Sequence, residues 1–227
     1  MAQRRIGGAN KIRFDSDGCS KKRRQISSFY NGCLGRMLYS CSVGRISCAG
    51  RRQNIARQLF DDETVCGFDK ALGWVVCIWK WLFQFGDWCS PVGSVIDWLK
   101  TGKWIATAYW ANSCDILAKT ATLLGYKQDA EKYAKWRSKI ISAYREVFTN
   151  GKGKLKKEFQ TAYVLPLYFN MVRGEEAKSY AQNLARLVKE NGNHLTTGFP
   201  STPYILFALA DNGQKDVAFD LLLQDTY

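Results

Sequence analysis

From about residue 103 to Tyr227 the apolar residues recur with a helical period, and the helices they mark come in pairs joined by very short connections. The first helix is expected over 103–124, with Gly125 where a left-handed C-terminal residue belongs. The second is expected over 128–148. Its apolar stripe is Ala130, Tyr133, Ala134, Trp136, Ile140, Ile141, Tyr144 and Phe148. A polar, glycine-bearing loop follows over 149–157. The third helix, "FQTAYVLPLYFNMV" over 159–172, is apolar nearly all round. It should be buried, with a kink at Pro166. The fourth, over 174–191, has acids in its first turn and Lys189 near its end, as the helix dipole favours. The fifth, over 201–212, takes Ser201 or Thr202 as N-cap and Pro203 in its first turn. The sixth, over 214–227, closes the series.

Connections of about three residues force neighbouring helices to run antiparallel, so these are three helical hairpins. Successive hairpins build an α/α toroid or an α-solenoid. They share no fixed-period motif, which argues against a tetratricopeptide-like array. In a toroid the longer loops between hairpins gather at one end of a central cavity. "FGDWCSP" (85–91) and "HLTTGFPSTP" (194–203) are therefore the segments expected to meet a ligand.

Composition sets limits on other readings. The formal net charge is +13, which invites a nucleic-acid interpretation. Its distribution is uneven: residues 1–70 hold ten of the fourteen arginines and a net charge of +8. The basic run "KKRRQ" (21–25) has little aromatic interleaving to stack bases, so no nucleic-acid partner is expected. The cysteines at 19, 33, 41, 48, 66, 77, 89 and 114 include no closely spaced pair, and the sole histidine is His194. No metal site and no cofactor are expected from that spacing. No stretch of eighteen apolar residues occurs, so no membrane span is expected. The N-terminal residues lack an apolar signal core, and the expected location is the cytoplasm with reduced thiols.

Four segments in order carry a family resemblance: "FQFGDWCSP" (83–91), "IATAYWANSCDILAKTATLLGYKQDAEKYAKW" (105–136), "FQTAYVLPLYF" (159–169) and "HLTTGFPSTPYILFALADNGQKDVAFDLLLQDTY" (194–227). Together they resemble the catalytic domain of bacterial α-L-rhamnosidases, over about 78–227. The resemblance implies an all-α fold, a partial (α/α)6 toroid of antiparallel hairpins amounting to about half the barrel. It implies hydrolysis of terminal α-L-rhamnose with inversion, and a rhamnose-containing glycoside as partner. Asp87 would accept hydrogen bonds from sugar hydroxyls, and Trp88 would offer an apolar face to the pyranose ring. Thr197, Gly198 and Phe199 would shape the same pocket, in a loop that resembles the family's Thr-Gly-Phe-x-Gly-Thr-Pro element with Ser201 where Gly is usual. The bland alternative is that Trp88 is a core aromatic and Thr197–Gly198 a simple turn.

Inversion needs a general acid and a general base on opposite sides of the scissile bond. The family's acid-bearing loop and its Thr-x-Trp-Glu element are both absent from this sequence. No catalytic residue is therefore assigned, and the chain alone is expected to be inactive. Half a toroid leaves its first and last hairpins without neighbours, and apolar faces such as those of Phe159–Phe169 are at risk of exposure, so self-association is expected.

Residues 1–77 read differently. They are irregular, and the resemblance does not extend over them; a disordered N-terminal segment is expected there. "VGRISCAGRRQNIARQLFDDETVC" (43–66) shows no apolar period. With permitted synonymous codons, and read one base later, it becomes WEEYHALGDDKTLLDNYSTMKRC. That string has helical periodicity and the look of the family's upstream segment. The expectation is that residues 1–77 derive from a shifted frame and that 78–227 are the glycosidase fragment. Two other readings stay open: another α/α-toroid glycosidase, or a helical binding protein with a basic N-terminal arm.

Overall fold

A computed structural model describes residues 85–150 and 153–226. The expectations placed on residues 1–77 lie outside the described residues. The described helices are α1 (Val95–Leu99), α2 (Gly102–Leu124), α3 (Lys127–Phe148), α4 (Gln160–Tyr168), α5 (Gly174–Glu190), α6 (Ile205–Ala210) and α7 (Lys215–Leu222). A 3₁₀ turn over Thr202–Tyr204 leads into α6. The helices pack as three hairpins, α2 with α3, α4 with α5, and α6 with α7. That is the arrangement expected from the short connections.

The first hairpin forms for local reasons. Gly125 has φ +83°, and the amide of Tyr126 returns to the carbonyl of Ala121 at 2.8 Å, so α2 ends in a tight left-handed cap. Small residues Ala108, Ala111 and Ala121 of α2 are buried and let α3 approach closely. From α3, Tyr133, Ile140, Tyr144 and Phe148 are buried at helical spacing. Ala134, placed in the sequence stripe, is instead exposed.

The second hairpin supplies the centre. Helix α4 is buried along nearly its whole length, and α5 contributes Ala177, Tyr180, Ala181, Leu184, Ala185 and Val188. Burial of a side chain such as Leu184 or Val188 contributes about 1.5–3 kcal/mol. Arg145 of α3 binds Glu176 of α5 at 2.7 Å and also donates to the carbonyl of Met171, which clamps the first hairpin to the second. The acids in the first turn of α5 and Lys189 in its last are where the dipole argument put them.

Several sequence expectations are corrected here. The third helix is shorter than 159–172: it stops at Tyr168, and Asn170 turns the chain left-handed at φ +53°. Pro166 has no N–H to give the carbonyl of Ala162, and the Tyr144 hydroxyl donates to that oxygen instead, at 3.4 Å. The expected fifth helix is split into the 3₁₀ turn and α6. The sixth ends at Leu222. Helix α1 was not foreseen, although Ser94 and Asp97 form a reciprocal capping box at its start.

Apolar exposure falls on the first and last hairpins as expected, but little of it on 159–169. Within 159–169 the side chains are largely buried. On the last hairpin Phe219 is 60% exposed and Leu223 76% exposed, beside Phe207 and Leu222, and on the first hairpin Leu123 at the end of α2 is 78% exposed. No helix among the described residues is long and apolar enough to cross a membrane.

Candidate functional site

Two loops, 85–94 and 194–201, meet at one end of the hairpins. They are far apart in sequence, and the contact between them depends on α4.

The first loop is shaped by backbone necessity. Gly86 sits at φ +63° against the carbonyl oxygen of Trp98, which a Cβ would overlap, so glycine is required there. The amide of Asp87 donates to Thr101 Oγ1 at 2.8 Å, just ahead of α2. Ser90 Oγ donates to the carbonyl of Thr196 at 2.9 Å, a first tie to the second loop.

The second loop is held from below by the first turn of α4. Gln160 donates through Nε2 to the carbonyl of His194 at 3.1 Å and accepts from the amide of Thr196 at 2.8 Å. Tyr109 of α2 donates its hydroxyl to the carbonyl of Pro200 at 2.6 Å. Thr202 Oγ1 lies 2.8 Å from Thr197 Oγ1 and also donates to the carbonyls of Thr197 and Gly198.

The loops then dock directly. The amide of Gly198 donates to Asp87 Oδ1 at 2.8 Å, and the amide of Phe199 donates to the carbonyl of Trp88 at 3.1 Å. A Cβ on Gly198 would lie 2.5 Å from the carbonyl oxygen of Asp87 and closer still to that of Trp88. The absence of a side chain at Gly198 is what lets the two backbones touch.

Asp87 is the junction. It is 4% exposed, and its Oδ1 also accepts from Thr161 Oγ1 at 2.8 Å. Thr161 in turn lies 2.6 Å from Ser201 Oγ. Because the Thr161 hydroxyl hydrogen is committed to Asp87, Ser201 must be the donor in that pair. The result is a directed chain, Ser201 to Thr161 to Asp87. Burial pushes the Asp87 carboxyl up to about 6; the bonds from Thr161 and Gly198 oppose that rise without cancelling it. No hydrogen bond to Asp87 Oδ2 occurs among the described residues.

All five residues singled out in the sequence come together. Trp88 is half-buried, with its ring edge-on to Phe85 at 5.0 Å and to Trp98 at 5.6 Å. Phe199 is half-buried, and Thr197 and Gly198 are buried beneath it. Ser201 occupies the N-cap position of the 3₁₀ turn but makes no capping bond; its hydroxyl goes to Thr161. Cys89, next to Trp88, is an exposed free thiol at φ +58°.

Gln160 and Thr161 were missed. They are nearly inaccessible, and together they hold both loops. The available signal was two adjacent polar residues in the first turn of a helix that is otherwise apolar all round. Polar groups there must be buried, and buried polar groups must be bonded.

A family model described as the bacterial alpha-L-rhamnosidase six-hairpin glycosidase domain matches residues 78–227. This chain belongs to that family. A curated alpha-L-rhamnosidase of Streptomyces avermitilis is 39% identical over 142 residues, which is 60% of this chain and 14% of that protein. One of Formosa agariphila is 32% identical over 154 residues, 62% of this chain and 17% of that protein. Among solved structures, the Streptomyces avermitilis alpha-L-rhamnosidase complexed with L-rhamnose superposes with a TM-score of 0.67 at 32% identity, covering 78% of this chain and 16% of that one. The native enzyme from Aspergillus terreus gives 0.71 at 27% identity, covering 78% and 21%. This rhamnosidase-family chain thus spans about a sixth of its curated relatives. Its three described hairpins are an all-α part of a six-hairpin toroid.

Proposed function

We propose that this chain is a piece of an α-L-rhamnosidase catalytic domain and that its two docked loops form part of the rhamnose-binding wall. The observation that carries this reading is the junction of Asp87–Trp88 with Gly198–Phe199, in a chain of this family. Trp88 and Phe199 retain partly open rings, suited to the apolar face of a deoxy sugar. Asp87 divides its work: Oδ1 holds the loops, and Oδ2 is the acceptor left for a sugar hydroxyl. Thr197 and Gly198 shape the wall from beneath. In the intact parent the reaction would be hydrolysis of a terminal α-L-rhamnoside with inversion.

The chain by itself is proposed to be inactive. Within 85–101 and 194–204 the acids are Asp87 and Asp97, and Asp97 is engaged in capping α1. These do not make the acid–base pair that inversion requires. Residues 1–77 are proposed to come from a shifted frame, a reading supported by the string recovered from 43–66 and by a family match that begins at 78. A cytoplasmic location belongs to the same proposal, supported by the free thiols of Cys89 and Cys114. Self-association through the open face of the last hairpin is proposed as well.

The test is ligand-observed NMR with L-rhamnose, together with an aryl-rhamnoside assay. Weak L-rhamnose binding that disappears in Trp88→Ala, with no turnover, is expected. Binding that ignores Trp88 would sink the sugar-wall reading, and real turnover would sink the inactivity.

A further inference from the structure

We propose that Thr161, backed by Ser201, is a positioning residue that sets the relative placement of the two sugar-facing loops by holding Asp87. The sugar-facing part of this statement rests on the function proposed above. The positioning itself rests on geometry alone.

Three segments converge on one buried carboxylate oxygen. Asp87 comes from the first loop, Gly198 from the second, and Thr161 from the first turn of α4. A helix that is buried along its length is the most rigid platform available, and Thr161 is fully buried on it. Gln160 and Tyr109 hold the second loop and Thr101 holds the backbone of Asp87, but the Asp87 carboxylate bonded to Gly198 alone would have no link to the helix core. The Thr161 hydroxyl anchors the pair to the helix core. Ser201 completes the arrangement by saturating Thr161 from the far side of the second loop. Thr161 donates to Asp87 and accepts from Ser201, so loss of its hydroxyl takes one of two donors from Asp87 Oδ1 and the acceptor from the buried Ser201 hydroxyl. Ser201 stands where relatives usually carry Gly, by the resemblance noted above. The Thr161–Ser201 link is accordingly a feature of this chain's own residues.

A role in positioning differs from a role in general stability by where its loss is felt. The amides of Gly198 and Phe199 end on Asp87 Oδ1 and on the Trp88 carbonyl, and they report the docking directly. The experiment is residue-resolved hydrogen exchange on the full chain and on Thr161→Val, Thr161→Ser and Ser201→Gly. Thr161→Val keeps the shape and removes the hydroxyl; exchange at Gly198 and Phe199 should accelerate about tenfold, the loss expected for one hydrogen bond. Thr161→Ser restores the hydroxyl and should restore protection. Ser201→Gly should give a smaller acceleration at the same two amides.

Equal acceleration throughout α4 and α5 in Thr161→Val, or no change at Gly198 and Phe199, would overturn the proposal. Should Thr161→Val fail to fold, Ser201→Gly decides. Local acceleration at Gly198 and Phe199 then supports the chain, and unchanged exchange refutes it. An L-rhamnose titration of the same variants separates the two readings. If the unmodified chain binds no L-rhamnose, the sugar-wall function fails, while the exchange pattern still tests the positioning. If it binds, Thr161→Val should weaken binding and Thr161→Ser should not.

Discussion

Replacing Asp87 by Asn should stabilise the protein at pH 7 and leave it unchanged at pH 4. The carboxyl titrates near 6 instead of its usual 3.8 because burial disfavours the charged form. A rise of that size corresponds to about 3 kcal/mol. For an acid whose folded value is raised, the favourable contribution is complete below the unfolded value near 4. It is lost as pH climbs through the folded value near 6. The native chain should therefore lose about 2.5 kcal/mol between pH 4 and pH 7 from this one group. Asn keeps an oxygen that accepts from Thr161 and Gly198, but it does not ionise. The value near 6 already includes the stronger bonds that Thr161 and Gly198 make to the charged form. The net gain for Asp87→Asn at pH 7 is then about 3 kcal/mol. Among the described residues, the other two carboxylates with a resolved shift lie below the window. Asp97 is held down to about 2, first by its hydrogen bonds with Ser94 and then by Lys100. Its contribution is present above pH 4 and is lost only as pH falls towards 2. Burial works against the charge on Glu158, yet the Tyr163 hydroxyl, Lys154 and Arg186 outweigh it and hold that group below its usual value. The assay is urea unfolding, followed by tryptophan fluorescence, at pH 4, 5, 6 and 7. If Asp87→Asn is less stable than the native chain at pH 7 and the pH slope is unchanged, the burial argument is wrong.

Three further outcomes are expected. Gly198→Ala should cost about 3 kcal/mol or more in chemical denaturation, because the atoms in the way are backbone carbonyls that cannot move aside; a cost below about 1 kcal/mol would mean the loops are not in contact. Tyr109→Phe removes the bond to the Pro200 carbonyl and leaves that oxygen unpaired; about 1–2 kcal/mol should be lost, measured by the same denaturation. Light scattering on the native chain should show association, and the pair Phe219→Glu with Leu222→Glu should reduce it while far-UV circular dichroism stays unchanged.

What the sequence made legible was whatever is local. The stripe from Ala130 to Phe148, the glycine at 125 and the short connections specify hairpins without reference to anything distant. The Gly-Asp-Trp and Thr-Gly-Phe segments were legible as a pair because both fall in long inter-hairpin loops and both fit the family resemblance. What the sequence hid was tertiary. Nothing near Thr161 announces that its hydroxyl faces a carboxylate 74 residues earlier in the chain. Ser201 looks like a helix cap by position, and only the presence of Thr161 takes its hydroxyl elsewhere. Helix α4 ends early because Asn170 adopts a left-handed turn, which an apolar pattern running through 169–172 does not reveal. Helix α1 is different in kind, since Ser94 and Asp97 carry the spacing of a capping box in plain view.

The docking of the two loops also bears on the order in which the protein assembles and opens. The Tyr144–Ala162 contact closes 18 residues of chain, whereas the Gly198–Asp87 bond closes 111. The longer closure carries roughly 1.5 kcal/mol more entropy. Contacts of that separation form after local ones and add to the folding barrier. The hairpins are therefore expected to be in place before the wall they support. On the return path the wall opens first. In native-state exchange the loops around Trp88 and Phe199 should separate while α3 and α5 remain closed.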